Sequence, residues 1–138
     1  MEVETNPDPA DVALLADRIA AHTAAVTGHD DLAPLAVFER DDNGRIVAGV
    51  HGWTWGGCCE ISDLWVDESC RGRSIATELL DTVEAEASRR GCRRVVLFAH
   101  AANTGPDGGL WARRGYEVVG RIDDYPVGDA ALWFAKEL

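Results

Sequence analysis

Two arginines beside a glycine and a serine lie between a predicted strand and a predicted helix, and they indicate a binding site for anions. The strand is predicted at residues 58–66, and the helix is predicted at residues 75–90. The segment between them contains Arg71, Gly72, Arg73 and Ser74. Backbone N–H groups at the start of a helix are unpaired and carry the positive end of the helix dipole. They therefore attract anions, and the arginines add positive charge. The segment predicts a cradle for a ligand that carries phosphate groups.

This loop and several later blocks resemble the GNAT N-acetyltransferases, and in particular a small bacterial branch of that family. The acetyl-CoA loop of the family is written R/Q-x-x-G-x-G/A; here Arg71 and Ala76 match its ends, and Ser74 stands at the middle glycine. The resemblance extends from about Pro34 to the end of the chain. Its further blocks include Leu64-Trp65-Val66, Gly115-Tyr116-Glu117-Val118-Val119-Gly120 and Asp124-Tyr125-Pro126-Val127-Gly128.

The resemblance implies an α/β (α+β) fold of the GNAT type. Its sheet is mixed and mostly antiparallel, is flanked by helices, and contains a βαβ unit that binds acetyl-CoA. Acetyl-CoA would be the co-substrate, and its acetyl group would pass directly to an amine. On this basis the residues expected to bind acetyl-CoA are Trp65, Val66, Arg71, Gly72, Arg73, Ser74, Ile75, Ala76, Thr77 and Asn103.

The resemblance also implies a general base, because an amine must lose a proton to be acylated. Glu60 is the predicted base: it precedes Val66 on the strand where some family members place a catalytic glutamate. Asp63 is the alternative on the same strand. Side chains alternate along a strand, so Asp63 is expected to point to the face opposite Glu60.

The position of the family's usual general acid is altered in this chain. The family pattern resembles N-x-x-A-x-x-L-Y-x-x-x-G-F/Y. This chain has Asn103 and then Leu110 to Tyr116 with one extra residue between them, so that Trp111 stands where the tyrosine is expected. An indole N–H donates hydrogen bonds but does not release a proton at useful pH. Water or another group would then protonate the leaving thiolate.

The charge of the chain is unevenly distributed. Residues 1–70 carry 14 acidic and 3 basic side chains, and residues 71–138 carry 10 of each, so the first half holds the whole net charge of −11. A surplus of acid argues against nucleic acid as a partner, since such binding depends on lysine and arginine contacts to phosphate. The acidic half would attract a cationic acceptor, although acidic surplus also serves solubility alone.

The length of 138 residues and the apolar content of 46% are typical of one domain, here residues 1–138. No stretch reaches the roughly 18 to 20 apolar residues of a membrane span, and a cytoplasmic location is expected. The four cysteines, Cys58, Cys59, Cys70 and Cys92, show no C-x-x-C spacing. Reduced thiols and no metal site are therefore expected.

Periodicity and turn residues predict the order of the elements. Residues 1–6 predict a short edge strand, and a helix follows from about Asp11 to Gly28. Three antiparallel strands are predicted next, at 35–40, 45–55 and 58–66, before the helix that follows the loop. A buried strand at 95–98 would pair in parallel with the strand before the loop. A short helix at 110–114 and strands at 116–121 and 130–136 complete the prediction.

The sequence thus predicts an acetyl-CoA-dependent N-acetyltransferase that acts on the primary amine of a small, cationic acceptor. Two alternatives remain open. The chain could bind CoA or acyl-CoA without catalysis, which the tryptophan at position 111 favours, or it could acetylate protein amines. No nucleic acid or membrane partner is expected, and assembly as a homodimer is left open.

Overall fold

The computed structural model describes residues 1–105 and 107–138 and shows a six-stranded sheet flanked by helices. Pro106, in the glycine-rich segment 104–109, lies outside the described residues. The helices are α1 (Pro9–Thr27), α2 (Ile75–Arg89), α3 (Ala101–Thr104) and α4 (Gly109–Arg113). The strands are β1 (Ala33–Arg40), β2 (Ile46–Trp55), β3 (Cys58–Val66), β4 (Arg94–His100), β5 (Glu117–Asp123) and β6 (Ala130–Glu137).

The prediction of a strand at residues 1–6 is wrong. These residues form no strand and are exposed throughout. A strand needs a neighbour for its backbone groups, and none of the described strands pairs with this segment. Helix α1 begins at Pro9, where the Asp8 carboxylate caps the helix by accepting a hydrogen bond of 2.8 Å from the Ala10 N–H.

The strand order is β1-β2-β3-β4-β6-β5, and every neighbouring pair is antiparallel except β3 with β4. The parallel pair is joined through α2, which confirms the predicted βαβ unit. With the first predicted strand absent, this unit joins the third and fourth strands. The mixed, mostly antiparallel sheet confirms the predicted fold class.

The core lies between the sheet and α2. Helix α2 turns its apolar stripe toward the sheet, because residues spaced by three and four positions share one side of a helix. The buried members of that stripe are Leu79, Leu80, Val83 and Ala87. They pack against side chains from the strands, of which Val50, Cys59, Ile61, Val95, Leu97 and Phe134 are among the most buried. No described helix is long and apolar enough to cross a membrane.

Candidate active site

Strands β3 and β4 separate partway along their length and open a cleft. Residues Cys58–Ile61 pair with Arg94–Leu97, but beyond Ile61 and Leu97 the two strands no longer bond to each other. The cleft has a volume of about 560 Å³. Its walls are the diverging ends of the two strands together with Asn103, Leu110 and Trp111. Backbone groups on the facing edges of the strands are therefore free to pair with an extended ligand.

A second cavity, of about 490 Å³, lies at the start of α2. It is lined by most of the predicted loop residues and by neighbouring side chains: Val66, Cys70, Arg71, Gly72, Ser74, Ile75, Ala76, Thr77 and Arg113. Leu64, Trp65 and Leu110 line both cavities. The two cavities therefore lie side by side, and we call them together the groove.

The loop reaches the helix through two residues with left-handed backbones. Gly72 has φ of +79° and Ser74 has φ of +61°, and Ser74 occupies the position before the helix without a capping bond from its side chain. Its hydroxyl is therefore not used by the helix. The Arg71 Nε–H donates a hydrogen bond of 3.2 Å to the carbonyl of Val66, which ties the loop to the end of β3.

Arginine placement in the structure differs from the sequence prediction at two positions. Arg73 is exposed and is not among the residues that line the groove, whereas Arg113 lines it from α4. Arg113 was not predicted at this site, because it lies about 40 positions after the loop and matches no motif there. Among the other predicted binding residues, Asn103 lies in the wall of the cleft and Trp65 is shared by both cavities.

A β-bulge changes which way the carboxylates of β3 point. Strand β2 pairs Trp53 with Glu60 and His51 with Asp63, and the register shifts between these pairs. Directly opposed residues share a face, and His51 and Trp53 are two apart, so Glu60 and Asp63 lie on the same face of the sheet. The expectation that they point to opposite faces is wrong. The extra residue of the bulge breaks the simple alternation.

Gly52 allows this bulge to form. A Cβ at this position would lie 2.0 Å from the carbonyl oxygen of Glu60, closer than any side chain tolerates. The bulge places the carboxylates of Glu60 and Asp63 near the point where β3 and β4 separate. We call the sheet face that they share, opposite α2, the outer face; its members include His51, Trp53, Glu60, Asp63, Phe98, His100 and Trp133.

The two carboxylates have different environments. Glu60 is half-buried within the paired part of β3, in register with Trp53 on one side and Val96 on the other. Burial disfavours its charged form and raises the pKa of this carboxyl. Asp63 lines the cleft with an exposed side chain, and its Oδ2 lies 3.6 Å from Nδ1 of His51.

An aromatic cluster borders the cleft on the outer face. The ring of Phe98 lies 5.5 Å from that of His100, 6.0 Å from that of Tyr125 and 5.2 Å from that of Trp133. His100 Nδ1 lies 3.0 Å from the carbonyl oxygen of Tyr125. A carbonyl only accepts, so Nδ1 carries the proton and Nε2 of the neutral ring keeps a lone pair.

Trp111 lines the cleft with its ring largely buried, and it meets Tyr116 edge to face at 5.3 Å. The hydroxyl of Tyr116 does not replace the missing acid. It donates a hydrogen bond of 2.9 Å to Glu84 on α2. The pKa of Tyr116 is raised mainly by burial and, to a lesser extent, by the negative charge of Glu84. Neither side chain can therefore release a proton into the cleft near neutral pH.

Comparison with known proteins identifies the family. A sequence model of the acetyltransferase (GNAT) family matches residues 12–116, which is most of the chain. The chain belongs to the GNAT acetyltransferases. It is therefore an acyltransferase, and it belongs to a family that uses acetyl-CoA.

Individual relatives agree with this GNAT assignment. An acetyltransferase from Agrobacterium fabrum is 30% identical over 87% of this chain and 85% of its own length. Blasticidin-S acetyltransferase from Streptomyces morookaense is 29% identical over 78% of this chain and 77% of its own. A crystal structure from Agrobacterium tumefaciens, assigned as an acetyltransferase, has a TM-score of 0.88 at 26% identity and covers 100% of this chain and 98% of its own.

Proposed function

We propose that this GNAT protein transfers the acetyl group of acetyl-CoA to the primary amine of a small, cationic acceptor. The observation that carries the proposal is the groove, whose two neighbouring cavities extend from the start of α2 to the cleft between β3 and β4. One end of the groove suits phosphate, and the other is lined by the Asp63 carboxylate, with Glu60 just inside the paired part of β3. A phosphate-bearing acyl donor and an amine would meet where the strands separate.

The groove offers separate contacts for the parts of acetyl-CoA. The N–H groups at the start of α2 would bind the pyrophosphate, and Arg71 and Arg113 would add positive charge on either side of it. The free backbone edge of β3 at Trp65 and Val66 would pair with the amides of the pantetheine arm. The thioester would then lie in the cleft, where Asn103 is available to hydrogen-bond the arm.

We propose Glu60 as the general base. The amine nitrogen attacks the thioester carbonyl carbon, so a C–N bond forms, the C–S bond breaks and CoA leaves as a thiolate. The proton lost by the amine passes to the Glu60 carboxylate, and water returns a proton to the thiolate. Burial raises the pKa of Glu60, which brings its basicity closer to what proton transfer near neutral pH requires.

The chemistry of the outer face supports a cationic acceptor. Asp63 presents an exposed carboxylate to the cleft, and Phe98 lines the same cleft with its ring in contact with those of Tyr125 and Trp133. An ammonium group is attracted both by a carboxylate and by the faces of aromatic rings. The blasticidin-S acetyltransferase is named for a small molecule, which supports a small acceptor here as well.

A cytoplasmic location fits this function. The bacterial relatives support a bacterial acetyltransferase, and acetyl-CoA is a cytoplasmic metabolite. All four cysteines are free thiols. Free thiols are typical of proteins in reducing compartments.

One observation favours the alternative in which the chain binds CoA without efficient turnover. Trp111 fills the acid position with a ring that cannot protonate the thiolate. Calorimetric titration with acetyl-CoA, followed by thiol release against a panel of amines in the same sample, separates the two. Binding with release that depends on the amine supports the transferase, binding with no release for any amine supports the alternative, and no binding contradicts both.

Charge reversal at the loop, Arg71→Glu, is expected to weaken acetyl-CoA binding at least about 10-fold, or about 1.4 kcal/mol. The variant loses a cation and adds an anion beside the expected pyrophosphate. Arg93→Glu is the matched control: it makes the same charge change beyond the far end of α2, about 22 Å away by helix length. Calorimetry measures both. Equal affinity of the two variants would contradict the placement of the phosphates at this loop.

A hydroxyl restored at the acid position is expected to speed thiolate departure. Trp111→Tyr should raise kcat about 10-fold, since a positioned general acid contributes at least that much. Trp111→Phe leaves a similar void without a hydroxyl and serves as the control. Both variants are expected to lose stability, because a smaller ring leaves a gap in the core. Equal kcat for the two, measured as thiol release with saturating acetyl-CoA, would show that thiolate protonation does not limit turnover.

A further inference from the structure

Helix α1 is apolar but unburied. Of its 19 residues only Asp11, Asp17 and Arg18 are charged, and no residue of the helix is buried. At least half of the surface of each large apolar residue is exposed; these residues are Val12, Leu14, Leu15, Ile19 and Val26. Helices gain most of their stability in proteins from packing, and one that is apolar around most of its surface is normally covered.

The whole chain exposes more surface than a folded monomer of its size. A monomer of 14.9 kDa is expected to expose about 7,000 Å². This chain exposes 9515 Å², an excess of about 2,500 Å². A stable homodimer buries from about 800 Å² per partner to more than twice that. The exposed segment 1–8 and the exposed helix α1 both contribute to this excess, which is larger than the roughly 800 Å² that a standard interface buries on each partner.

The charges of α1 complement those of an antiparallel copy of the same helix. Asp11 and Arg18 are seven residues apart, almost two full turns, so they lie on one side of the helix with Leu14 and Leu15 between them. Both charged residues are exposed, and neither forms an ion pair with any described side chain. A two-fold axis between the leucines would place each Asp11 beside the other copy's Arg18.

We propose that α1 is a dimer interface and that its occupant is the α1 helix of a second copy of this chain. The leucines would meet at the two-fold axis, and the two ion pairs would flank them. An isologous contact of this kind repeats every interaction twice, which is how a single helix face becomes self-complementary. The proposal does not rest on the proposed function, because the test measures mass and not activity.

The first test is the mass of the purified chain, by light scattering after size exclusion, across protein concentrations from about 1 to 100 μM. Wild type is expected to be a dimer, and Leu15→Glu a folded monomer with dimerisation at least about 100-fold weaker, since truncation of a central contact commonly costs that much. Ile46→Glu makes the same kind of change at an exposed apolar residue of β2 and should stay dimeric. Monomeric wild type at every concentration, or a dimeric Leu15→Glu, would overturn the proposal.

A charge exchange tests the antiparallel arrangement without adding charge to an apolar position. Arg18→Asp would bring two aspartates together at both ends of the contact and should weaken the dimer about 10-fold. Adding Asp11→Arg restores two opposite-charge pairs and should recover most of the loss. If the double variant is no tighter than the single one, these residues do not meet across a two-fold axis, and the assigned interface is wrong.

Discussion

Glu60→Gln is expected to lower kcat about 100-fold and to leave the affinity for acetyl-CoA unchanged. The carboxamide has nearly the same shape as the carboxylate but cannot accept the proton that the amine must lose. A positioned general base contributes about 100-fold to 10,000-fold in rate. Single-turnover thiol release gives the rate, and calorimetry gives the affinity. Full activity in this variant would remove the proposed role of Glu60.

His100 supplies the comparison for this experiment. Its Nε2 lone pair is oriented by the hydrogen bond from Nδ1 to Tyr125, so His100, like Asp63, lines the cleft and could accept a proton. With Glu60 as the base, His100→Gln should change KM for the acceptor a few-fold and leave kcat within about threefold. A 100-fold loss of kcat in His100→Gln, with Glu60→Gln still active, would assign the base to the histidine.

The pH profile distinguishes the same two groups. A base works when it is deprotonated, so activity falls as the pH drops through the pKa of the base. Burial raises the pKa of Glu60, and the acid limb of kcat/KM should therefore lie above 4.5, the ordinary value for glutamate. That limb should disappear from the residual activity of Glu60→Gln and persist in His100→Gln.

Glu84→Ala is expected to lower the free energy of unfolding by about 3 to 5 kcal/mol. The Glu84 carboxylate on α2 accepts hydrogen bonds of 2.9 Å from Arg114, from the Tyr116 hydroxyl and from Lys136. These contacts fasten α2 to the segment after α4 and to β6. Removal of the carboxylate would leave the Arg114 guanidinium, only 13% exposed, with the exposed Asp81 as its remaining ion-pair partner.

Urea unfolding measures this loss, and Glu78→Ala on the exposed side of the same helix is the matched control. That variant removes a glutamate without removing a buried contact, so it should change stability by less than about 1 kcal/mol. Equal losses of unfolding free energy in the two variants would show that the hydrogen bonds around Glu84 do not stabilise the fold more than an exposed glutamate does. Coupling between Glu84 and Tyr116 should appear as non-additivity in a double-mutant cycle.

The stability supplied by Glu84 should also depend on pH. Burial raises the pKa of this carboxyl, but the hydrogen bonds from Lys136, Arg114 and Tyr116 together outweigh burial and leave it below 4.5. A lowered pKa in the folded state gives stability that is present above the pKa of the unfolded state and is lost as the pH falls through the folded value. Acid unfolding of Glu84→Gln should therefore show a weaker dependence on pH below about 4.5.

The elements that carry local signals were predictable from the sequence. The loop between β3 and α2, the apolar stripe of α2 and the turns between β1, β2 and β3 each depend on residues close together in the chain. Their predicted bounds agree with the structure within a few residues. The predicted strand at residues 1–6 failed for the opposite reason, since a strand depends on a partner that may lie anywhere in the chain.

By itself the sequence determined the family, the order of the elements from α1 through β4 and the loop that joins β3 to α2, because all three depend on residue types at fixed local spacings. The tertiary structure decided which side chains meet. The bulge opposite Gly52 put Glu60 and Asp63 on one face, and the separation of β3 and β4 opened the cleft. Arg113 joined the loop from a distant helix, while α1 stayed uncovered. Pairing register and packing between distant segments set these features, and no local pattern encodes them.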